Sequence, residues 1–200
     1  MSEHQVVVVG AGPAGVAAAV ALKDSKLRPL LVDAADQVAS AWRTRYDRLR
    51  LNTCRPYSHL PGRRFPKGTP MFASRDQLVD HLDRHAHEDG IDLKLGTRVE
   101  RIDRSNGVWT LDTSEGELRT PQVIVATGYE SDPLIPGWPG RDEFAGRLIH
   151  SREYRNPEPF RDRLVVAVLA RVDEPWCCCT FPRASGTPLR ASAASATSAT

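Results

Sequence analysis

"HQVVVVGAGPAGVAAAVALKDSKLRPLLVDA", residues 4–34, decides the fold. Gln5–Val9 is a nearly continuous β-branched run, without the alternation of a half-exposed strand. That pattern suits a parallel strand covered on both faces. Gly10, Gly12 and Gly15 follow at G-x-G-x-x-G spacing. The alanine-rich stretch Val16–Leu22 reads as a helix, and "RPLLVDA" (28–34) as the next strand. Strand, tight turn, helix and strand within about 30 residues make a βαβ unit with a right-handed crossover.

Each glycine has its own physical reason in such a loop. Gly10 permits the tight turn, Gly12 lets a diphosphate approach the backbone, and Gly15 lets the helix lie close to the strand. Pro13 and Ala14 open the helix, where the missing N–H of proline is no loss and free amides with a partial positive charge face phosphates. Asp33 ends the second strand, 18 residues after Gly15, close to the spacing of a ribose-binding carboxylate. The loop alone does not separate nicotinamide from flavin dinucleotides.

The totals narrow the class. Two hundred residues, 40% hydrophobic and 26% charged, suit an ordinary globular protein. A net charge of +2 gives no reason to expect nucleic acid or an acidic membrane as partner. Three of the four cysteines are consecutive, which is no disulfide framework, so a reducing cytoplasmic setting is expected. The apolar run 6–22 lacks a basic leader, is broken by "GAGPAG" and is too short to span a membrane.

Further along, residues 36–73 read as a short helix and a long ordered loop. Ser74–Glu88 reads as a helix, with Ser74 and Gln77 as a capping box and Leu78, Leu82 and Ala86 as its inner stripe. Strand-like segments follow in 91–104, and "GVWTLDT" with "GELRT" predicts a hairpin, giving a small antiparallel insertion around 97–119. "QVIVATG" (122–128) returns as a buried strand. Residues 172–200, rich in Ala, Ser, Thr, Pro and Arg, are expected to be disordered.

Four stretches in order carry a resemblance: "VVVVGAGPAG" (6–15), "SAWRTRYDRLRLNT" (40–53), "VIVATGY" (123–129) and "FAGRLIHSREY" (144–154). The chain resembles class B flavin-dependent monooxygenases over roughly residues 4–168. The last stretch matches the family fingerprint F-x-G-x-x-x-H-x-x-x-[YF] through Phe144, Gly146, His150 and Tyr154, and Tyr154 favours the N- or S-oxygenating and amine-oxidising branch. The resemblance implies an α/β fold, a Rossmann-type parallel sheet with a small antiparallel insertion. It implies FAD on the first glycine loop and NADPH on a second loop after the fingerprint. A soft nitrogen, sulfur or carbonyl centre would be oxygenated through a flavin hydroperoxide, so the partners are a small molecule and oxygen.

Carried over residue by residue, the resemblance places Trp42 and Arg43 along the flavin, although Ala39 and Ser40 stand where relatives have a glycine pair. It places Asn52 near the reactive flavin edge as the candidate catalytic residue, and Thr127 and Gly128 beside the cofactor. His150 is read as structural or part of a hinge. The domain reading is an FAD-binding domain over residues 1–163, the start of an incomplete NADPH-binding domain over 164–171, and the tail. Leu164–Leu169 stands where the strand before the second glycine loop belongs, yet "ARVDEPWCCC" follows it. Little or no NADPH oxidation is therefore expected of the chain.

Competing readings are a disulfide reductase, which the lone Cys54 argues against, and a non-catalytic flavoprotein remnant. His81 and His85, at i and i+4, have metal-compatible spacing, but with His87 they read as a solvated helix face, and no metal site is expected.

Overall fold

The computed structural model describes residues 4–88, 90–128, 133, 135, 137, 140–163, 165–169 and 177–181. The chain divides into two compact units, Met1–Pro133 with Ser151–Arg155, and Leu134–His150 with Asn156–Thr200.

In the first unit the order is β1 (Val6–Val9), α1 (Pro13–Asp24), β2 (Pro29–Val32), α2 (Ser40–Arg43), α3 (Arg75–Glu88), β3 (Asp92–Lys94), β4 (Val99–Ser105), β5 (Val108–Thr113), β6 (Gly116–Thr120) and β7 (Gln122–Val125). One sheet has the order β3-β2-β1-β7, and all its pairings are parallel. The other, β4-β5-β6, is antiparallel. The α/β fold with an antiparallel insertion is thus present. β3, which the sequence pattern left unassigned to a sheet, extends the parallel one.

β1 is buried on both faces because two layers cover it. Val6 and Val8 join Leu31 in a core with Val16, Ala19 and Val20 of α1 and Leu78 and Leu82 of α3. Val7 and Val9 join Leu30 and Val32 in a second core, closed by Leu111 with Val99, Ile102, Trp109 and Leu118 of the antiparallel sheet. The parallel sheet lies between helices and a second sheet, which explains why its apolar residues do not alternate with polar ones. Asn106 and Gly107, both at positive φ (51° and 81°), join β4 to β5 in a tight turn matched to strand twist.

Local chemistry sets the helix ends. Pro13 opens α1. At its other end Lys26 N–H donates to the Lys23 carbonyl and Leu27 N–H to the Leu22 carbonyl, with Lys26 at φ 63°. This pair of bonds is a Schellman closure, a place that favours glycine. α3 starts at the expected capping box: Ser74 N–H donates to Gln77 Oε1 at 3.0 Å, and Gln77 N–H to Ser74 Oγ at 3.2 Å.

One reading of α3 is corrected. His81 is not on a solvated face but only 1% exposed. Its ring stacks on Phe65 at 4.2 Å and meets His85 edge-on at 4.8 Å. Position 81 lies three residues after Leu78 and next to Leu82, so it flanks the apolar stripe, and the loop carrying Phe65 covers it. Burial, and next the nearby His85, lower its pKa from 6.5 to about 4.

In the second unit β8 (Val165–Leu169) pairs antiparallel with β9 (Cys177–Phe181). β9 falls within the span where no strand was expected; the rest of 172–200 lies outside the described residues. Arg147 sits over Phe160 at 5.7 Å. No helix among the described residues is long and apolar enough to cross a membrane.

Candidate functional site

The glycine loop leaves β1 at the C-terminal edge of the parallel sheet. Gly10 takes φ +108°, and a Cβ there would lie 2.5 Å from the Ala126 carbonyl oxygen and 3.1 Å from Thr127 Cα. The turn therefore requires glycine twice, for conformation and for the closeness of the chain after β7. A Cβ on Gly15 would overlap the Gly10 carbonyl oxygen, so helix and loop touch backbone to backbone.

Gly12 differs. Its φ is −80°, which any residue adopts, and a Cβ there would meet nothing within 4 Å. Neither conformation nor packing against the described residues calls for glycine. A bare backbone open to an approaching diphosphate does, so this cradle fits a dinucleotide. No side chain caps the N-terminus of α1, and Pro13 and Ala14 are exposed at its first turn. The helix amides and dipole there suit an anion.

Asp33 stands at the end of β2, where its carboxylate braces the loop. Ala11 N–H donates to Oδ2 at 2.6 Å and Ala35 N–H to Oδ1 at 2.8 Å. A carboxylate accepts about four hydrogen bonds, so both oxygens retain capacity for a ribose hydroxyl. The Ala11 carbonyl in turn accepts from Ala39 N–H at 2.9 Å. Sequence reasoning missed Ala11. Its small size inside G-x-G was the available signal, and it is 1% exposed.

That bond docks α2 on the loop. Ala39, wholly buried, takes the left-handed region at φ 58°, where a glycine would sit without strain. The missing glycine pair is thus felt in the backbone. Trp42 is half-buried and packs on the helix-side core. Arg43 donates to the Val38 carbonyl at 2.8 Å and pairs with Asp83 at 2.9 Å, fixing α2 to α3. Thr127 and Gly128, the latter at φ 71°, are exposed just past β7.

The structure places Gly10, Gly12, Pro13, Ala14, Gly15, Asp33, Thr127 and Gly128 just past the C-terminal ends of β1, β2 and β7, the end of an open α/β sheet at which ligands bind. Asn52 is exposed at a bend in a separate segment and makes no hydrogen bond among the described residues. His81 and His85 do not form a metal set; among the described residues no group of three ligating side chains does. Cys54 is a free, half-buried thiol.

The fingerprint residues divide between the units. In the second, the Phe144 ring covers Gly146 so closely that a Cβ there would collide with it. In the first, Tyr154 lies 6.3 Å from Tyr46, and Asp47 N–H donates to the Arg155 carbonyl at 2.8 Å. The stretch in which a second glycine loop was sought, 170–176, lies outside the described residues.

Comparison with known proteins accords with this geometry. The chain is 36% identical over 166 residues to indole-3-pyruvate monooxygenase YUCCA1 of Oryza sativa subsp. japonica, covering 81% of this chain and 41% of that protein. It is 33% identical over 170 residues to the probable indole-3-pyruvate monooxygenase YUCCA1 of Arabidopsis thaliana, covering 82% and 41%. The chain thus spans about two fifths of the curated relatives it matches. Among solved structures, a flavin-containing monooxygenase from Stenotrophomonas maltophilia superposes with a TM-score of 0.72 at 26% identity, over 81% of this chain and 49% of that one. The resemblance to flavin-dependent monooxygenases is borne out. Residues 7–169 match the model of the pyridine nucleotide-disulphide oxidoreductases, and the chain belongs to that family.

Proposed function

We propose that this chain is the FAD-binding part of a flavin-dependent monooxygenase that uses NADPH and oxygenates a small molecule at a soft nitrogen, sulfur or carbonyl centre. The observation that carries the cofactor assignment is Gly12, where a Cβ would meet no described atom within 4 Å and the backbone stands open to a ligand. The order of the four motifs and the monooxygenase relatives favour oxygenation over disulfide reduction, for which Cys54 offers no partner in the glycine-loop unit.

In this reading the amides at Gly12, Ala14 and Gly15 take the diphosphate, and Asp33 takes the adenosine ribose. Trp42 and Arg43 shape the wall along the flavin, Thr127 and Gly128 border it, and the Asn52 amide faces bound oxygen. Bound FAD would supply the redox chemistry and the activation of oxygen; the protein supplies position and exclusion of water. NADPH and most of the substrate pocket belong to the span of the relatives that this chain does not match, and a cytoplasmic setting is part of the proposal.

Purification of the 200-residue chain, titration with FAD followed by its visible spectrum, and then addition of NADPH under air test the reading. Saturable FAD binding with little NADPH consumption is expected. A folded chain that takes up no FAD would overturn it.

A further inference from the structure

A pocket of about 350 Å³ lies between the turn at 66–69 and one side of α3, and none of its lining residues belongs to the glycine-loop cradle. Its volume is that of a small-molecule site. Thr69 N–H donates to the Pro66 carbonyl at 3.2 Å with Gly68 at φ 90°, a type II turn that puts Lys67 at its corner. The Arg55 guanidinium donates to the Thr69 carbonyl and anchors the turn. On α3, Gln77, Asp80 and Arg84 recur at helical spacing, so they share one side of the helix. Thr69 and His81, 7% and 1% exposed, are the buried members of the lining, and Lys67, Asp80 and Arg84 are its exposed rim.

The polar groups of this lining are uncommitted. Arginines nearby have acidic partners: Arg43 pairs with Asp83, Arg63 with Asp24, and Arg75 with Asp47 and Asp76. The side chains of Lys67, Asp80 and Arg84 form no ion pair or hydrogen bond with the described residues. Asp80 and Arg84 are one helical turn apart, the spacing at which opposite charges usually meet, yet here they stay separate. Gln77 Oε1 is taken by the Ser74 amide at 3.0 Å, so its NH2 is the group left to donate. His81 also lines the pocket, and its buried Nδ1 has no hydrogen-bond partner among the described residues. The pocket thus combines two free cations, a free carboxylate and several neutral hydrogen-bonding groups.

We propose that this pocket is a second binding site, for a small hydroxylated phosphate ester of the sugar-phosphate class. Lys67 and Arg84 take the phosphate, while Asp80, the Gln77 amide and the Thr69 hydroxyl take hydroxyl groups. Charge complementarity selects this occupant. An uncharged sugar would leave both cations without a counter-charge. A bare anion would face Asp80 with no hydroxyl to offer it, and a divalent cation would meet Lys67 and Arg84. The site is built from residues 66–84 alone, so it needs neither FAD nor the monooxygenase reading.

The test is a titration of the isotope-labelled full chain, followed by NMR amide shifts, with glucose-6-phosphate, glucose and inorganic phosphate, each with and without FAD. Glucose-6-phosphate is expected to shift the amides of 67–69 and 77–84 saturably, and to bind at least ten-fold more tightly than either glucose or inorganic phosphate. Lys67→Gln and Arg84→Gln should each weaken it about ten-fold. Asp80→Asn should weaken glucose-6-phosphate but not inorganic phosphate, which separates hydroxyl recognition from simple attraction of an anion. All three positions are exposed, so the variants should fold and keep their FAD affinity. No saturable shift at these amides, an affinity no better than that of inorganic phosphate, or binding indifferent to both glutamine substitutions would overturn the proposal.

Discussion

Asp33 Oδ2 accepts the Ala11 amide at 2.6 Å, so the end of β2 holds the glycine loop in place. Asp33→Ala leaves that amide and the Ala35 amide without their acceptor. An orphaned amide costs about 1–3 kcal/mol when it stays shielded from water. Urea unfolding should show a loss of that order. FAD titration should show affinity reduced at least ten-fold, since the loop loses its brace and the ribose its carboxylate.

Gly12 and Gly15 separate binding from folding. Gly12→Ala meets no protein atom and keeps an ordinary φ, so stability should stay within about 1 kcal/mol of the parent. FAD binding should nevertheless be lost, because the new methyl occupies the cradle. Gly15→Ala overlaps the Gly10 carbonyl and should destabilise the chain by about 3 kcal/mol or more. Circular dichroism melts beside FAD titrations check both. A Gly12→Ala chain that still bound FAD normally would leave that glycine unexplained.

Lys26 closes α1 from the left-handed region, at φ 63°, with its side chain exposed. A non-glycine residue there costs about 1–2 kcal/mol, and glycine returns part of it to the unfolded chain. Lys26→Gly should raise stability by roughly 1 kcal/mol in urea unfolding, with no effect on FAD affinity.

Acid stability should report on His81. Its pKa is lowered from 6.5 to about 4 in the folded chain, chiefly by burial. Above pH 6.5 the ring is neutral folded and unfolded, and its titration contributes nothing. As pH falls from 6.5 toward 4, only the unfolded chain takes up the proton, so stability drops. The full loss is about 3 kcal/mol, because a proton bound by one state alone is worth roughly 1.4 kcal/mol per pH unit across that window. His81→Phe preserves an aromatic ring against Phe65 and removes the titration. Its urea midpoint should therefore fall less than the parent's between pH 7 and pH 4.5.

Much of the fold could be read from local chemistry. The unalternating valines of β1, the glycine spacing and the Ser74–Gln77 capping box each have a cause within a few residues. What escaped depends on distant partners. His81 looks solvated by polarity, and only the loop bearing Phe65 makes it a core residue. β3 reads as a strand from its alternation, but its place in the parallel sheet follows from pairing with β2. Asp33 was legible as a carboxylate at the right distance from the loop. Its grip on Ala11 was not, because that bond depends on how β2 lies beside β1. The bridge that pairs Arg50 with Ser74 was hidden in an aperiodic stretch, since its register is set by backbone bonds that no side-chain pattern reveals.

The two rims of the parallel sheet are not alike. β3 carries Asp92 and Lys94, and Asp92 faces His4 and Arg28. β7 has β1 as its one neighbour among the described residues, and its Val125 is 62% exposed. A short, greasy, half-paired border of this kind is adhesive toward any other extended backbone. Concentrated solutions of the chain should therefore cloud through β7 first, and a single lysine at position 125 should keep them clear.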